Sequence, residues 1–184
     1  YFGNNAGISF SGGAPVALAD GALVTMEGAA SISDASGNLL FYTDGMTIYD
    51  KTHNNMPNGT GLYGGASTSQ SAVIVRRPGN ANQYYVFTAA PDLNPEGICY
   101  TTVNMSLNGG KGDVTGTKNI QLLASATEKL TAVLHCNRRD VWVIAHDGNS
   151  NRFYSWLVTS TGVSASPVIS AVGSAHNGDP IGCM

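Results

Sequence analysis

Charge is what this chain has least of. Only 11% of its 184 residues are Asp, Glu, Lys or Arg, against roughly a quarter in an average soluble domain. Disorder needs low hydrophobicity with high net charge, so it is excluded. The formal net charge of −3 comes without a basic stripe, which sets aside nucleic acid and insertion into or binding on an anionic membrane. Long apolar runs are missing too. The longest strongly apolar stretches, such as 141–145, have strand length and fall far short of the roughly 20 residues that cross a bilayer. Three cysteines, Cys99, Cys136 and Cys183, are too few and too scattered for a disulfide framework or a zinc site, and read as free thiols. No helix-length window keeps a 3.6-residue apolar period, and Gly or Pro interrupts nearly every stretch, so almost no helix is expected. A GxSxG elbow, an HExxH motif and a Walker loop are all absent.

What the chain does contain is Gly, Ser, Thr and Asn between short apolar runs, and those runs repeat. AASISD (29–34), SAVIVR (71–76) and TAVLHC (131–136) align, and IGCM (181–184) begins a fourth copy. The spacing of about 42 to 60 residues falls in the range of β-propeller blades. Each copy is followed by a turn and a continuously apolar second strand: LLFYTDG, YYVFTAA and VWVIAHD. Strands covered on both faces read this way. A third strand follows in each copy, and a fourth is expected at 119–124, at 167–172 and, more faintly, at 60–64. The expectation is an all-β chain of about three four-stranded propeller blades and the start of a fourth, within a seven-bladed whole. Residues 1–28 are an N-terminal strand segment that closes or leads into the propeller; the blades occupy 29–68, 69–127 and 128–174, and 175–184 opens the next, so the chain reads as truncated.

The stretches YFGNNAGISF (1–10), EGAASISDASGNLLFYTDG (27–45), MPNGTG (56–61), NMSLNGGKGDV (104–114) and EKLTAVLHC (128–136) carry a family likeness. Together they resemble the N-terminal propeller-like region of large Bacteroidota surface proteins. Those proteins often continue into immunoglobulin-like PKD repeats and a gliding-motility-type C-terminal domain for type IX secretion. The resemblance implies export, surface display and adhesion, with the remainder of the same propeller as a partner, and it transfers no catalytic residues. A start at Tyr1 without an initiator Met fits signal-peptide removal, so the expected location is secreted or outer cell surface.

Propeller loops sort onto two faces. Glu27, Asp44, Asp92, Glu96, Glu128, Asp147 and Asp179 are expected on one, and Arg76, Arg77, Arg138, Arg139, Lys51 and Lys111 on the other. An acidic mouth would suit hydroxyl-rich ligands or cations; alternatively, loops collect charge because loops are wet. The candidate ligand-binding set is Glu27, Asp44, Gln70, Glu128, His146 and Asp147. Glu27, Glu128 and the pair Ser69–Gln70 hold equivalent positions before an inner strand, while Asp44 and His146 are equivalent at the end of the second strand. Glu27 and Glu128 could perform acid and base work on a glycoside, given a separation of about 5 to 9.5 Å. Their other role is to bond neighbouring loop backbone and set blade spacing.

No cofactor is expected, calcium excepted: Asp92, Asn94 and Glu96 offer oxygens at alternate positions, without the carboxylate at position twelve of an EF-hand loop. Asp34 in SDASGNLLF resembles an Asp-box turn. His135 reads as an inner-strand histidine, the strand aromatics as core, and Tyr63 as the loop aromatic available to a sugar. The functional expectation is a non-enzymatic surface-display, adhesion or ligand-binding module, its partner a cell-surface polymer, polysaccharide or another surface or secretion protein. A carbohydrate-active enzyme, and a structural subunit or passenger of a secretion or motility apparatus, are the alternatives.

Overall fold

The apolar runs become sixteen short strands in the computed structural model, which describes residues 1–184. The one helical element is a 3-10 turn at Asn108–Gly110. Strands β1 (Gly7–Ser9) and β2 (Val16–Leu18) form a separate hairpin. The first large sheet runs β3 (Ala30–Ser33), β4 (Leu39–Thr43), β5 (Thr47–Asp50) and β6 (Asn55–Thr60) in chain order. The second contains β7 (Ala72–Arg76), β8 (Gln83–Ala89) and β9 (Ile98–Asn104). Two short strands, β10 (Asp113–Val114) and β11 (Ile120–Leu123), share the outer edge of β9. The third repeats that plan with β12 (Ala126–Leu134), β13 (Val141–Asp147) and β14 (Arg152–Thr159), edged by β15 (Gly162–Val163) and β16 (Val168–Ala171).

Every pairing is antiparallel, and the turns explain why the chain reverses where it does. Asp34 Oδ1 accepts the N–H groups of Ser36 and Asn38 at 2.8 and 2.9 Å. Asp50 Oδ1 does the same for Thr52 and Asn54, and Asn137 Oδ1 for Arg139 and Asp140. A side-chain oxygen that substitutes for a backbone acceptor is what makes Asp and Asn turn residues.

The three sheets stack face to face, with the second in the middle. Side chains alternate across a strand, and β8 uses both sides. Tyr84 and Val86 pack with Phe41, Ile48 and Met56 of the first sheet, whereas Tyr85, Phe87 and Ala89 pack with Leu130, Val143 and Trp156 of the third. All six residues from Tyr84 to Ala89 are buried, which is why this strand reads as one apolar run. Each such side chain, fully buried, contributes about 1.5–3 kcal/mol.

The two outward faces differ. On the first sheet, Tyr42 and Tyr49 are stacked, and the Tyr1 ring lies over Tyr42 at 4.9 Å. The Ala22 N–H donates to the Tyr42 hydroxyl at 2.8 Å, and Leu23 is fully buried, so the N-terminal segment covers this face. On the third sheet, Val133, Trp142 and Leu157 lie side by side across three strands, as Thr131, Ile144 and Ser155 do in the next row. Val133 and Val168 on that face are exposed, and Trp142, Ile144, Phe153 and Leu157 are half-buried.

Four expectations are corrected. The outer strand of the first sheet is Asn55–Thr60, not 60–64, because the Asp50 turn reverses the chain within five residues. Pro57 and Gly59 look like turn residues but sit in an edge strand, where a missing N–H is tolerated. The inner strand of the third sheet starts early, at Ala126, with an irregular register between Ala126 and Leu130, so Glu128 lies within a strand. His135 falls just past that strand, its Nδ1 accepting the Asn137 N–H at 3.1 Å. Residues 181–184 form no strand, though they lie against the second repeat: the Gly182 N–H donates to Ser69 Oγ and the Met184 N–H to Gln70 Oε1.

Candidate functional site

The expected polar ring lies at one end of the sheets, where second strands turn into third strands and one sheet leads into the next. Asp44 follows β4 and is 4% exposed. Its Oδ1 accepts from the N–H groups of Met46 and Thr47 at 2.8 and 2.7 Å, so the carboxylate is consumed by its own turn. Gly45 beside it has φ +86°, and a Cβ there would lie 2.8 Å from the Ser71 carbonyl oxygen. Only glycine supplies both the left-handed backbone and that close approach.

Glu27, Gln70 and Glu128 come together around Ser69. The Ser69 N–H donates to Glu128 Oε2 at 2.8 Å, its hydroxyl donates to Glu27 Oε2 at 3.3 Å, and that hydroxyl accepts the Gly182 N–H at 3.2 Å. Gln70 Oε1 accepts the N–H groups of Leu130 and Met184 at 3.1 and 2.8 Å. Glu128 is 1% exposed, whereas Glu27 is open to solvent. Positions that precede the inner strands thus bond across the repeats rather than facing a common ligand space. A buried carboxylate is stable when such donors satisfy it.

Asp44, His146 and Asp147 do not join this cluster through any hydrogen bond. His146 is buried against Phe153, with ring centroids 4.7 Å apart, and its Nδ1 has no partner. Burial, then the neighbouring His176 and Lys129, lower its pKa from the ordinary value of 6.5, so the neutral imidazole is favoured. Asp147 Oδ2 accepts from the Ser150 hydroxyl at 3.0 Å.

Asp92 and Asn94 are exposed turn residues, and Asn94 Oδ1 accepts the Glu96 N–H at 3.0 Å. No group of three or more His, Cys, Asp or Glu side chains that could hold a metal ion converges in the chain. Tyr63 is 45% exposed at this end and borders a cavity of about 220 Å³ with Asn94 and Glu96. The three cysteines are free; burial pushes the Cys99 thiol up to about 11.

The charge segregation is partial. Lys129 and Arg152 share the acidic end, and Lys129 Nζ is held by the carbonyls of Pro180 and Ile181. At the opposite end, Lys111 pairs with Asp50 at 3.9 Å and Arg139 with Asp140 at 3.3 Å. What the sequence reading missed is the hub role of Ser69. The available signal was its repeat position, equivalent to Glu27 and one residue past the equivalent of Glu128, next to a glutamine. Comparison of the chain with protein-family models, with curated proteins and with solved structures gives no match.

Proposed function

We propose that the three stacked sheets are consecutive blades of a β-propeller, and that the chain is a non-enzymatic binding or display module of a larger exported, cell-surface protein. Its partner in this reading is a surface polymer such as a polysaccharide, or another surface protein. The observation that carries the reading is the state of Glu128. An acid–base carboxylate must reach a scissile bond, yet Glu128 is 1% exposed and accepts the Ser69 N–H. It acts as a spacer between repeats. Asp44 is likewise spent on its own turn.

The blade reading is supported by the order of strands. The first sheet runs β3 to β6 in chain order, the first three strands of the second and third sheets do the same with two short strands sharing the outer edge, and the last strand of the first and of the second sheet leads to the first strand of the next. It is supported also by the uncovered face of the third sheet. Val133, Trp142 and Ile144 occupy the repeat positions of Val73, Tyr85 and Phe87, which the third sheet covers. A further blade of the same kind fits there, leaving one exposed apolar face fewer. Export and surface location rest on the family resemblance.

The test is retention on an array of bacterial surface polysaccharides and purified surface proteins, combined with sizing of each polymer after incubation. Retention with polymer length unchanged is expected. Shortening of a polymer by the wild-type chain and not by Glu128→Gln would replace this reading with a carbohydrate-active enzyme. Failure to be retained on any member would remove the binding part.

A further inference from the structure

At the end of the sheets opposite Glu128, four of the nine Lys and Arg residues gather at one groove. Arg76 ends β7 and Arg77 opens the β7–β8 turn, while Arg138 and Arg139 lie in the β12–β13 turn, and these are equivalent turns of adjacent stacked sheets. They line a cavity of about 420 Å³ whose floor includes Ile74 and Val141. The equivalent turn of the first sheet carries Asp34 instead, so the arginine cluster is confined to the space between the second and third sheets.

The four guanidinium groups are not equally available. Arg77 is committed to structure: Nε and Nη2 donate to the Ser160 carbonyl at 3.0 and 2.7 Å, and Nη1 to Gln83 Oε1 at 2.6 Å. Arg139 is paired with Asp140. Arg76, by contrast, has a single long bond, Nε to the Asn80 carbonyl at 3.4 Å, and the exposed Arg138 guanidinium makes no hydrogen bond or ion pair. A chain so sparing of charge holds two free guanidinium groups and a third, Arg77, that keeps its charge, with no carboxylate among the lining residues.

We infer that this groove binds the sulfate-ester or carboxylate groups of an acidic polysaccharide. The planar guanidinium fork matches both anions, with paired N–H donors and charge assistance. The aliphatic floor suits the C–H face of a sugar ring. Nucleic acid is disfavoured because no aromatic side chain lines the groove for a base to stack on. The site lies away from Ser69 and Glu128 and stands independently of the propeller reading.

The experiment titrates the chain with dextran sulfate, neutral dextran, inorganic sulfate and a single-stranded oligonucleotide of matched charge at a fixed ionic strength of about 0.15 M, where the Debye length is about 8 Å. Dextran sulfate is expected to bind. Arg138→Gln should weaken it about tenfold and R76Q/R138Q further, on the scale of one charge-assisted contact per residue. Arg152→Gln, the same charge change at the opposite end, should change it by less than about twofold, because exposed charges beyond a Debye length are screened. Thermal melting of each variant should match the wild type. Equal loss with Arg152→Gln would reduce the effect to net charge and overturn the site. Equal binding of neutral dextran, inorganic sulfate as tight per site as the polymer, or an oligonucleotide as tight as dextran sulfate would each overturn the polysaccharide assignment.

Discussion

The Ser69 N–H lies 2.8 Å from Glu128 Oε2, across a sequence separation of 59 residues. One hydrogen bond therefore joins the segment that opens the second sheet to the inner strand of the third.

Glu128→Ala should destabilise the fold by about 2–3 kcal/mol, since it leaves a part-buried N–H without an acceptor and opens a void. Glu128→Gln keeps an acceptor oxygen and should cost under about 1.5 kcal/mol. Urea denaturation with an unchanged m-value checks both; equal effects would show that the acceptor is not what matters.

Two glycines with nearly the same backbone should respond differently to alanine. Gly37 has φ +84° and open space, with nothing within 4 Å of where a methyl group would sit, whereas Gly45 has φ +86° with the Ser71 carbonyl oxygen at 2.8 Å from that point. Gly37→Ala should cost about 1 kcal/mol, the left-handed penalty alone. Gly45→Ala should cost at least about 2 kcal/mol more through the backbone clash. Melting temperatures of the pair provide the comparison.

Stability should fall on mild acidification. His146 has its pKa lowered from 6.5 in the folded state, mainly by burial, so the unfolded chain takes up the proton first. Its contribution is present above about pH 6.5 and is lost as pH drops through the lower folded value. The melting temperature should therefore decline between pH 7 and 5, and His146→Gln should flatten that part of the profile. An unchanged slope in the variant would assign the decline to other groups.

The middle sheet and the uncovered face should also differ in sensitivity. Phe87→Ala, at a fully buried position between the second and third sheets, should cost about 3–5 kcal/mol. Trp142→Ala, on the outward face of the third sheet, should cost about 1–2 kcal/mol in this chain because its ring is only half-buried. Chemical denaturation of each variant measures the difference.

The local part of the structure was legible in the sequence because it depends on near neighbours. The apolar runs at 84–89 and 141–145 announce strands, and Asp34 announces its turn by bonding backbone two and four residues away. The sequence places the fourth strand of the first sheet at 60–64 instead of Asn55–Thr60, because Pro57 and Gly59 are tolerated there only through the strand's edge position, which is a property of the sheet. Glu27, Gln70 and Glu128 stand out as equivalent positions, but the Ser69 hub exists only once sheets stack. The arginine end was visible as a charge pattern; which guanidinium is free was not, since the Ser160 carbonyl that occupies Arg77 is 83 residues away.

That same Arg77 bond, together with the one between Ser69 and Glu128, gives the seam between the second and third sheets a mechanical character. Each sheet is pinned to its neighbour near both ends, once through a carboxylate and once through a guanidinium. Two sheets held only by apolar side chains could swing like a hinge or slide in shear with little change in buried area. With both ends latched, either motion must first break a directional bond. The pair therefore bears torque as one stiff plate, and pulling on one sheet is transmitted to the next before the seam opens.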